Sequence, residues 1–250
     1  MTNAASPLLC ELHAHSTWSD GSLSIPELVD FYGAARFDVL CVTDHANRAD
    51  DPWLTPRERR LAGVHERTFP AYLEEIDAEA ERAAREWGLL VLPGLELSYN
   101  HVDPLLAAHA VAVGLRSWVT VDHGITDAIC TAREQGAAII AAHPYAPGTG
   151  PLHPRTTQHL GAEWRKLARH IDRWELYNRH EAFPWVAAAG LPVIASGDFH
   201  RPEHLFGWKT VLPCGRGERE IVSWLQSDGA VYLARVDEAA AMPAATPAAA

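Results

Sequence analysis

Five short apolar runs in this chain close on a histidine or an acid, with helical stretches between them. Residues 8–12 lead into His13 and His15, and 38–43 into Asp44 and His45. Residues 89–95 lead into Glu96, 137–142 into His143, and 192–196 towards Asp198 and His200. A short run that is apolar throughout reads as a strand buried on both faces. Strands of that kind alternating with helices predict an α/β protein with a parallel sheet. About seven such units favour a closed or nearly closed, TIM-like β/α barrel, with a doubly wound open sheet as the alternative.

The helices carry their own signals. Ser24, Pro26 and Glu27 stand at capping-box spacing and open a helix to about Arg36. Residues 70–87 form a long amphipathic stretch stopped by Gly88, and a helix starting at Asp122 or Thr126 stops at Gly136. Further helices are expected at about 157–170, after Asn178, and at 218–226. Further strands are expected at 109–114, 173–178, near 210–212 and at 230–234. His109 breaks the rule of the other runs, because it opens its run instead of closing it.

One globular domain over 8–236 is expected, with the Ala/Pro-rich residues 237–250 read as a disordered tail. The net charge of −11 argues against a stable nucleic-acid partner. An anionic substrate stays open, since bound cations would reverse the sign locally. No apolar run is long enough to span a membrane and no signal peptide is evident, so no membrane partner is expected. Four cysteines without Cys-x-x-Cys spacing favour a reduced, cytoplasmic setting.

Chemistry concentrates where the runs meet the loops. In a β/α barrel the active site lies at the carboxyl ends of the strands. Successive side chains of a strand alternate faces, so His13 and His15 point the same way, as two ligands of one ion must. One His-x-His pair in a chain with 14 histidines is expected about once by chance. The recurrence of the arrangement down the chain is not. His13, His15, Asp20, His45, Glu96, His109, His143, Asp198 and His200 make a mixed imidazole and carboxylate set. Such a set suits Zn²⁺, Mn²⁺ or Fe. It exceeds what one ion uses, so two or three divalent ions sharing a bridging carboxylate are expected.

His13-x-His15 with Ser19-Asp20-Gly21, Thr43-Asp44-His45, Gly94-Leu95-Glu96, isolated His109, Ala142-His143-Pro144 and Asp198-Phe199-His200 resemble the motifs of the PHP (polymerase and histidinol phosphatase) family. The resemblance covers roughly 8–236. It implies a distorted seven-stranded β/α barrel and phosphoester hydrolysis at a di- or trinuclear centre. It also implies an allocation of ligands. His13, His15, Glu96 and Asp198 would hold one ion, and Glu96, His109 and His143 a second. Asp20, His45 and His200 would hold a third. No polymerase region is present, so a proofreading role is not supported.

Close-set ions would lower the pKa of bound water and supply the nucleophile, acting on a small anionic phosphorylated substrate. A nucleotide phosphate, histidinol phosphate and a short oligonucleotide all remain open. The rivals are an amidohydrolase cleaving C–N or lactone bonds and a metal-binding module without turnover. Arg179 and His180 directly follow the sixth strand and are candidate substrate-binding residues; an outward salt bridge from Arg179 to Glu181 is the alternative. Asp44 either orients His45 or caps the next turn, and Tyr145 either lines the pocket or packs on Pro144.

Overall fold

Among the described residues, eleven strands form one curled sheet. In chain order they are β1 (Leu8–Ala14), β2 (Val39–Val42), β3 (His45–Asn47), β4 (Leu90–Tyr99), β5 (Ala108–Val113), β6 (Ala138–Ala142), β7 (Arg173–Asn178), β8 (Glu181–Ala182), β9 (Val193–Ser196), β10 (Gly207–Leu212) and β11 (Tyr232–Val236). The helices are α1 (Ile25–Ala34), α2 (Glu58–Leu61), α3 (Phe69–Glu86), α4 (Ile125–Glu134), α5 (His159–Ala162), α6 (Trp164–Leu167), α7 (Pro184–Ala188) and α8 (Glu218–Leu225). These elements come from a computed structural model that describes residues 6–149 and 156–238. Most of the expected tail, 239–250, and part of the 146–154 loop lie outside the described residues. No helix among those described is long and apolar enough to cross a membrane.

The sheet runs β11-β10-β1-β2-β4-β5-β6-β7-β8, with β3 paired to β4 and β9 to β7. The expected parallel sheet is corrected to a mixed one. Pairs β1/β2, β2/β4, β6/β7 and β7/β9 are parallel, but β5 runs antiparallel to both neighbours, and β10 is antiparallel to β1 and β11. The single bridge Ala14–Phe199 joins the end of β1 to the segment after β9. Two hydrogen bonds support it, from His15 N–H to the Phe199 carbonyl at 2.8 Å and from Phe199 N–H to the His13 carbonyl at 3.0 Å. The stretch expected as one helix at 157–170 is broken into α5, α6 and a 3-10 turn.

Alternation along the strands builds two cores. Val91, Leu95, Ala110, Ala112 and Ile139 face the helices, where Tyr32 of α1, Tyr72 and Ile76 of α3 and Ile129 of α4 cover them. Leu92, Val111, Val113 and Ile140 face the other way, and Ile221 and Leu225 of α8 close that side. In α1 the Glu27 carboxylate accepts from the Ser24 N–H at 2.8 Å and hydroxyl at 2.7 Å, the cap read from the sequence.

Candidate metal centre

Glu96 and His109 lie on the face opposite α1, α3 and α4, by parity with Leu92 and Val111. His13 and His15 reach that face by a local irregularity. Pairing of β1 with β2 matches Glu11 to Leu40 and then Ala14 to Val42, one extra residue on β1. The bulge inverts the parity of the strand and turns both imidazoles towards Glu96. His109, the second residue of β5, reaches the cluster for a related reason. An antiparallel strand begins at the end where its parallel neighbours finish, so the first turn of β5 meets the tips of the others.

All nine candidate ligands join one cluster. His13 Nε2 lies 3.4 Å from Glu96 Oε1 and 3.6 Å from Asp198 Oδ1. His15 Nε2 lies 3.4 Å from both Glu96 Oε2 and Asp198 Oδ1. Glu96 Oε1 also meets His109 Nδ1 at 2.9 Å and His143 Nε2 at 3.1 Å. Asp20 Oδ1 meets His200 Nε2 at 3.1 Å and His45 Nε2 at 3.5 Å. Three subsets bring one donor atom each within 4.8 Å: His15, Asp20, His45 and His200; His13, His15 and Glu96; His45, Glu96 and His109. His15 thus stands with the Asp20 group as well as with His13, and Glu96 is shared by two subsets.

His13 Nε2, His15 Nε2 and Glu96 Oε2 are buried without a hydrogen-bond partner. His45 Nδ1 comes within 2.7 Å of Glu96 Oε2 but is aligned with Ser98 Oγ. Buried polar atoms normally find partners. Two imidazole nitrogens and a carboxylate oxygen converging unpaired fit a divalent cation of the Zn²⁺, Mn²⁺ or Fe type. Burial, reinforced by the neighbouring His200 and His45, pushes His15 down to about 3, so its ring is neutral as a ligand must be. Burial alone would raise Glu96, but the imidazoles of His109, His45 and His13 hold it well below the carboxylate range. Burial likewise opposes ionisation of Asp198, and His13, His15 and Arg179 overcome it.

The other ring nitrogens are taken by supporting groups that the sequence reading did not find. Glu175 is fully buried on β7. Its carboxylate takes His13 Nδ1 at 3.0 Å, the His143 N–H and Asn178 amide at 2.6 Å each, and the Ser196 hydroxyl. Thr157 meets His143 Nδ1 at 2.9 Å, and Asn100 Oδ1 meets His109 Nε2 at 2.7 Å while its amide bonds buried Asp51. A carboxylate inside a strand between Trp174 and Leu176 was the one available signal for Glu175.

Asp44 does not orient His45. It accepts from the Ser16 N–H and hydroxyl and from the Ser19 hydroxyl, bracing the loop that presents Asp20. A Cβ on Gly21 would lie 2.2 Å from the His15 carbonyl oxygen, which explains the glycine after Asp20. Three of the four described non-glycine residues with positive φ, His143, Arg179 and Asp198, lie in this site. Such backbone strain gathers at functional positions.

Arg179 turns inward. Its Nε donates to the Asp198 carbonyl at 2.9 Å, and an Nη reaches Asp198 Oδ2 at 2.9 Å and His200 Nδ1 at 2.8 Å. Glu181 pairs instead with Tyr145. A cavity of about 720 Å³ opens over the cluster, with Arg179, His180, Tyr145 and His204 in its wall. His180 is exposed there. A larger cavity, about 810 Å³ beside Arg48 and Trp118, includes none of the nine.

An α/β sheet thus gathers imidazoles and carboxylates near its strand tips, in groups that could hold metal ions. The PHP domain family model matches residues 11–189, and the chain belongs to that family. A search of curated proteins finds no match. Among solved structures it resembles a two-domain protein from Bacteroides vulgatus containing an inferred PHP-like metal-dependent phosphoesterase, at 23% identity and TM-score 0.62. That likeness covers 92% of this chain and 66% of the other, just under two thirds of its length. An inferred metal-dependent phosphoesterase from Bifidobacterium adolescentis follows at 14% identity and TM-score 0.50, covering 78% and 88%. An amidohydrolase from Chromobacterium violaceum with bound sulfate and no metal matches at 16% and TM-score 0.51, covering 76% and 87%. At these identities the likeness is one of fold.

Proposed function

We propose that this chain is a metal-dependent phosphoesterase that hydrolyses a small phosphate ester, with two or three divalent ions held by His13, His15, Asp20, His45, Glu96, His109, His143, Asp198 and His200. The observation that carries the reading is the set of three buried, unpartnered atoms, His13 Nε2, His15 Nε2 and Glu96 Oε2, at the centre of that cluster. Family membership and the phosphoesterase inferred for the Bacteroides vulgatus neighbour support it.

Divalent ions there would lower the pKa of water and neutralise phosphate charge. The chain's own residues orient and exclude. Glu175, Ser98 and Thr157 each occupy the Nδ1 of a clustered imidazole, leaving Nε2 of His13, His45 and His143 directed at the site. Asn100 does the reverse for His109, occupying Nε2 so that Nδ1 faces Glu96. Arg179 clamps Asp198 and borders the cavity with its guanidinium one-third exposed, where it would meet phosphate oxygens alongside His180. In the reaction, the oxygen of water forms a new bond to phosphorus, the bond to the ester oxygen breaks, and the alcohol departs with a proton.

The test is product release from a panel of phosphomonoesters, phosphodiesters, amides and lactones with Mn²⁺ added. Phosphate release from an ester, abolished by a chelator and by His13→Ala, Asp198→Ala or Glu96→Gln, is expected. Turnover of amides or lactones with every ester inert would assign the chain to the amidohydrolase class instead.

A further inference from the structure

Asp51 lies in the loop between β3 and α2, outside the nine candidate ligands, and is fully buried. Its two oxygens accept from different segments. Oδ1 takes the Trp53 N–H at 2.7 Å, and Oδ2 takes the side-chain amide of Asn100 at 2.8 Å. An Nη of Arg48 donates to the Asn100 main-chain carbonyl at 3.3 Å and brings a positive charge to this corner. Trp53 donates its indole N–H to the His101 carbonyl at 3.0 Å and sets its ring 6.1 Å from that of His109. The loop at 48–53 and the end of β4 therefore meet beside one candidate metal ligand.

With Asp51 ionised, donors and acceptors here can be ordered in only one way. A carboxylate only accepts, so Asn100 must turn its NH2 towards Asp51. Its Oδ1 then faces His109 Nε2 at 2.7 Å, and an amide oxygen likewise only accepts. The ring proton of neutral His109 is thereby fixed on Nε2. Nδ1 is left as a lone pair 2.9 Å from Glu96 Oε1. Two acceptors at that distance repel unless a cation lies between them. His45, Glu96 and His109 are one of the groups whose donor atoms could hold such an ion.

We infer that Asp51 is a positioning residue of the metal centre: by fixing the Asn100 amide, it selects Nδ1 of His109 as the metal-binding atom. The inference rests on the metal-centre reading and not on the reaction catalysed. At His13, His45 and His143 the tautomer is set by a group that touches the ring directly. His109 is set at one remove, through a neutral amide that fits either way round, and the charge on Asp51 decides which end faces the ring. Asp51→Asn removes that distinction. The new amide keeps an oxygen for the Trp53 N–H and offers its NH2 to Asn100, which turns over and presents its own NH2 to His109 Nε2. The ring proton then sits on Nδ1, where it is donated to Glu96 and closes that nitrogen to a cation.

Two measurements on the full chain test this: calorimetric titration of metal-free protein with Mn²⁺, and the nitrogen NMR spectrum of the histidine rings in Zn²⁺-loaded protein. Asp51→Asn should weaken chiefly one bound ion, by about ten- to a hundredfold, the usual effect of losing a group that orients a ligand. Adding Asn100→Asp to Asp51→Asn exchanges the two side chains, so that position 100 again offers only acceptors to His109. The exchanged pair should regain most of the affinity, whereas a residue that merely holds the loop would not be rescued in this way. In the spectrum, the His109 proton should sit on Nε2 in the native protein and in the exchanged pair, and on Nδ1 in Asp51→Asn. Unchanged Mn²⁺ affinity in Asp51→Asn, or an equal loss in the exchanged pair, would overturn the role of Asp51 and leave the metal centre standing. Native protein that binds neither Mn²⁺ nor Zn²⁺ would end the metal-centre reading itself. Should the variants fail to fold, the native spectrum decides: a proton on Nδ1 of His109 overturns the inference, and one on Nε2 with zinc on Nδ1 upholds it.

Discussion

Glu175 touches no expected substrate, yet four groups of the site lean on its carboxylate: His13, Ser196, Asn178 and the His143 N–H. Glu175→Gln keeps the shape but loses the charge that steadies the His13 ring, so metal affinity should fall about ten- to a hundredfold with the fold retained. Titration of metal-free protein with Mn²⁺ measures this, and unchanged affinity would deny Glu175 a supporting role. Arg179 acts on two partners, since the guanidinium that borders the cavity also holds Asp198 and His200. Arg179→Ala should lower kcat/KM on the best ester by about ten- to a hundredfold, with lysine recovering only part because it cannot make a two-pronged contact. Unchanged kcat/KM in the alanine variant would leave Arg179 outside substrate binding. At Gly21 the limit is steric, because a methyl group would strike the His15 carbonyl. Gly21→Ala should displace Asp20 and reduce the number of bound ions by one, as read by metal analysis; full occupancy would show that the loop can give way.

At the scale of elements, β1 and β10 are joined by more than their ladder. Lys209 and Glu11 are both fully buried, and their charged ends lie 2.7 Å apart. Glu11 also accepts from the Gly197 N–H at 2.8 Å and the Tyr32 hydroxyl at 3.1 Å, linking α1 and the loop before Asp198 to β1. A Cβ on Gly197 would lie 2.2 Å from Lys209 Nζ, so the glycine lets that loop pass over the ion pair. Removing one partner strands a charge in the interior. Lys209→Met should cost about 3–5 kcal/mol in denaturant unfolding, and adding Glu11→Gln should return part of it. A loss below about 1 kcal/mol would indicate that water reaches Glu11.

For the whole molecule, most of the core is apolar and independent of the cluster, so metal-free protein should remain folded. Ions at the proposed centre would bind only the folded arrangement, because the candidate ligands come from residues 13 to 200. Free Mn²⁺ at a hundred times Kd should add about 2.7 kcal/mol per site, roughly 5–10 °C in Tm for a domain of this size. A chelator should reverse the shift. Metal analysis that finds one ion or none in an active preparation would overturn the multinuclear reading.

The sequence by itself determined the α/β class, most element positions and the candidate ligands that close its apolar runs, because hydrophobic periodicity and strand-end chemistry are local properties. The Ser24–Glu27 cap and the common face of His13 and His15 were legible for the same reason. Which face that is depended on the bulge in β1, a pairing irregularity with no local signature. The direction of β5, which brings His109 to the cluster, depends on which strands become neighbours and is likewise non-local. Glu175 looked like one acid in a strand, and only the approach of His13, 162 residues away, shows what its charge supports. Arg179 emerges at the right end of the sheet, but its capture by Asp198 required the chain to bring residue 198 beside residue 179. Local pattern sets what each segment is, and only tertiary packing decides which polar groups meet once water is excluded.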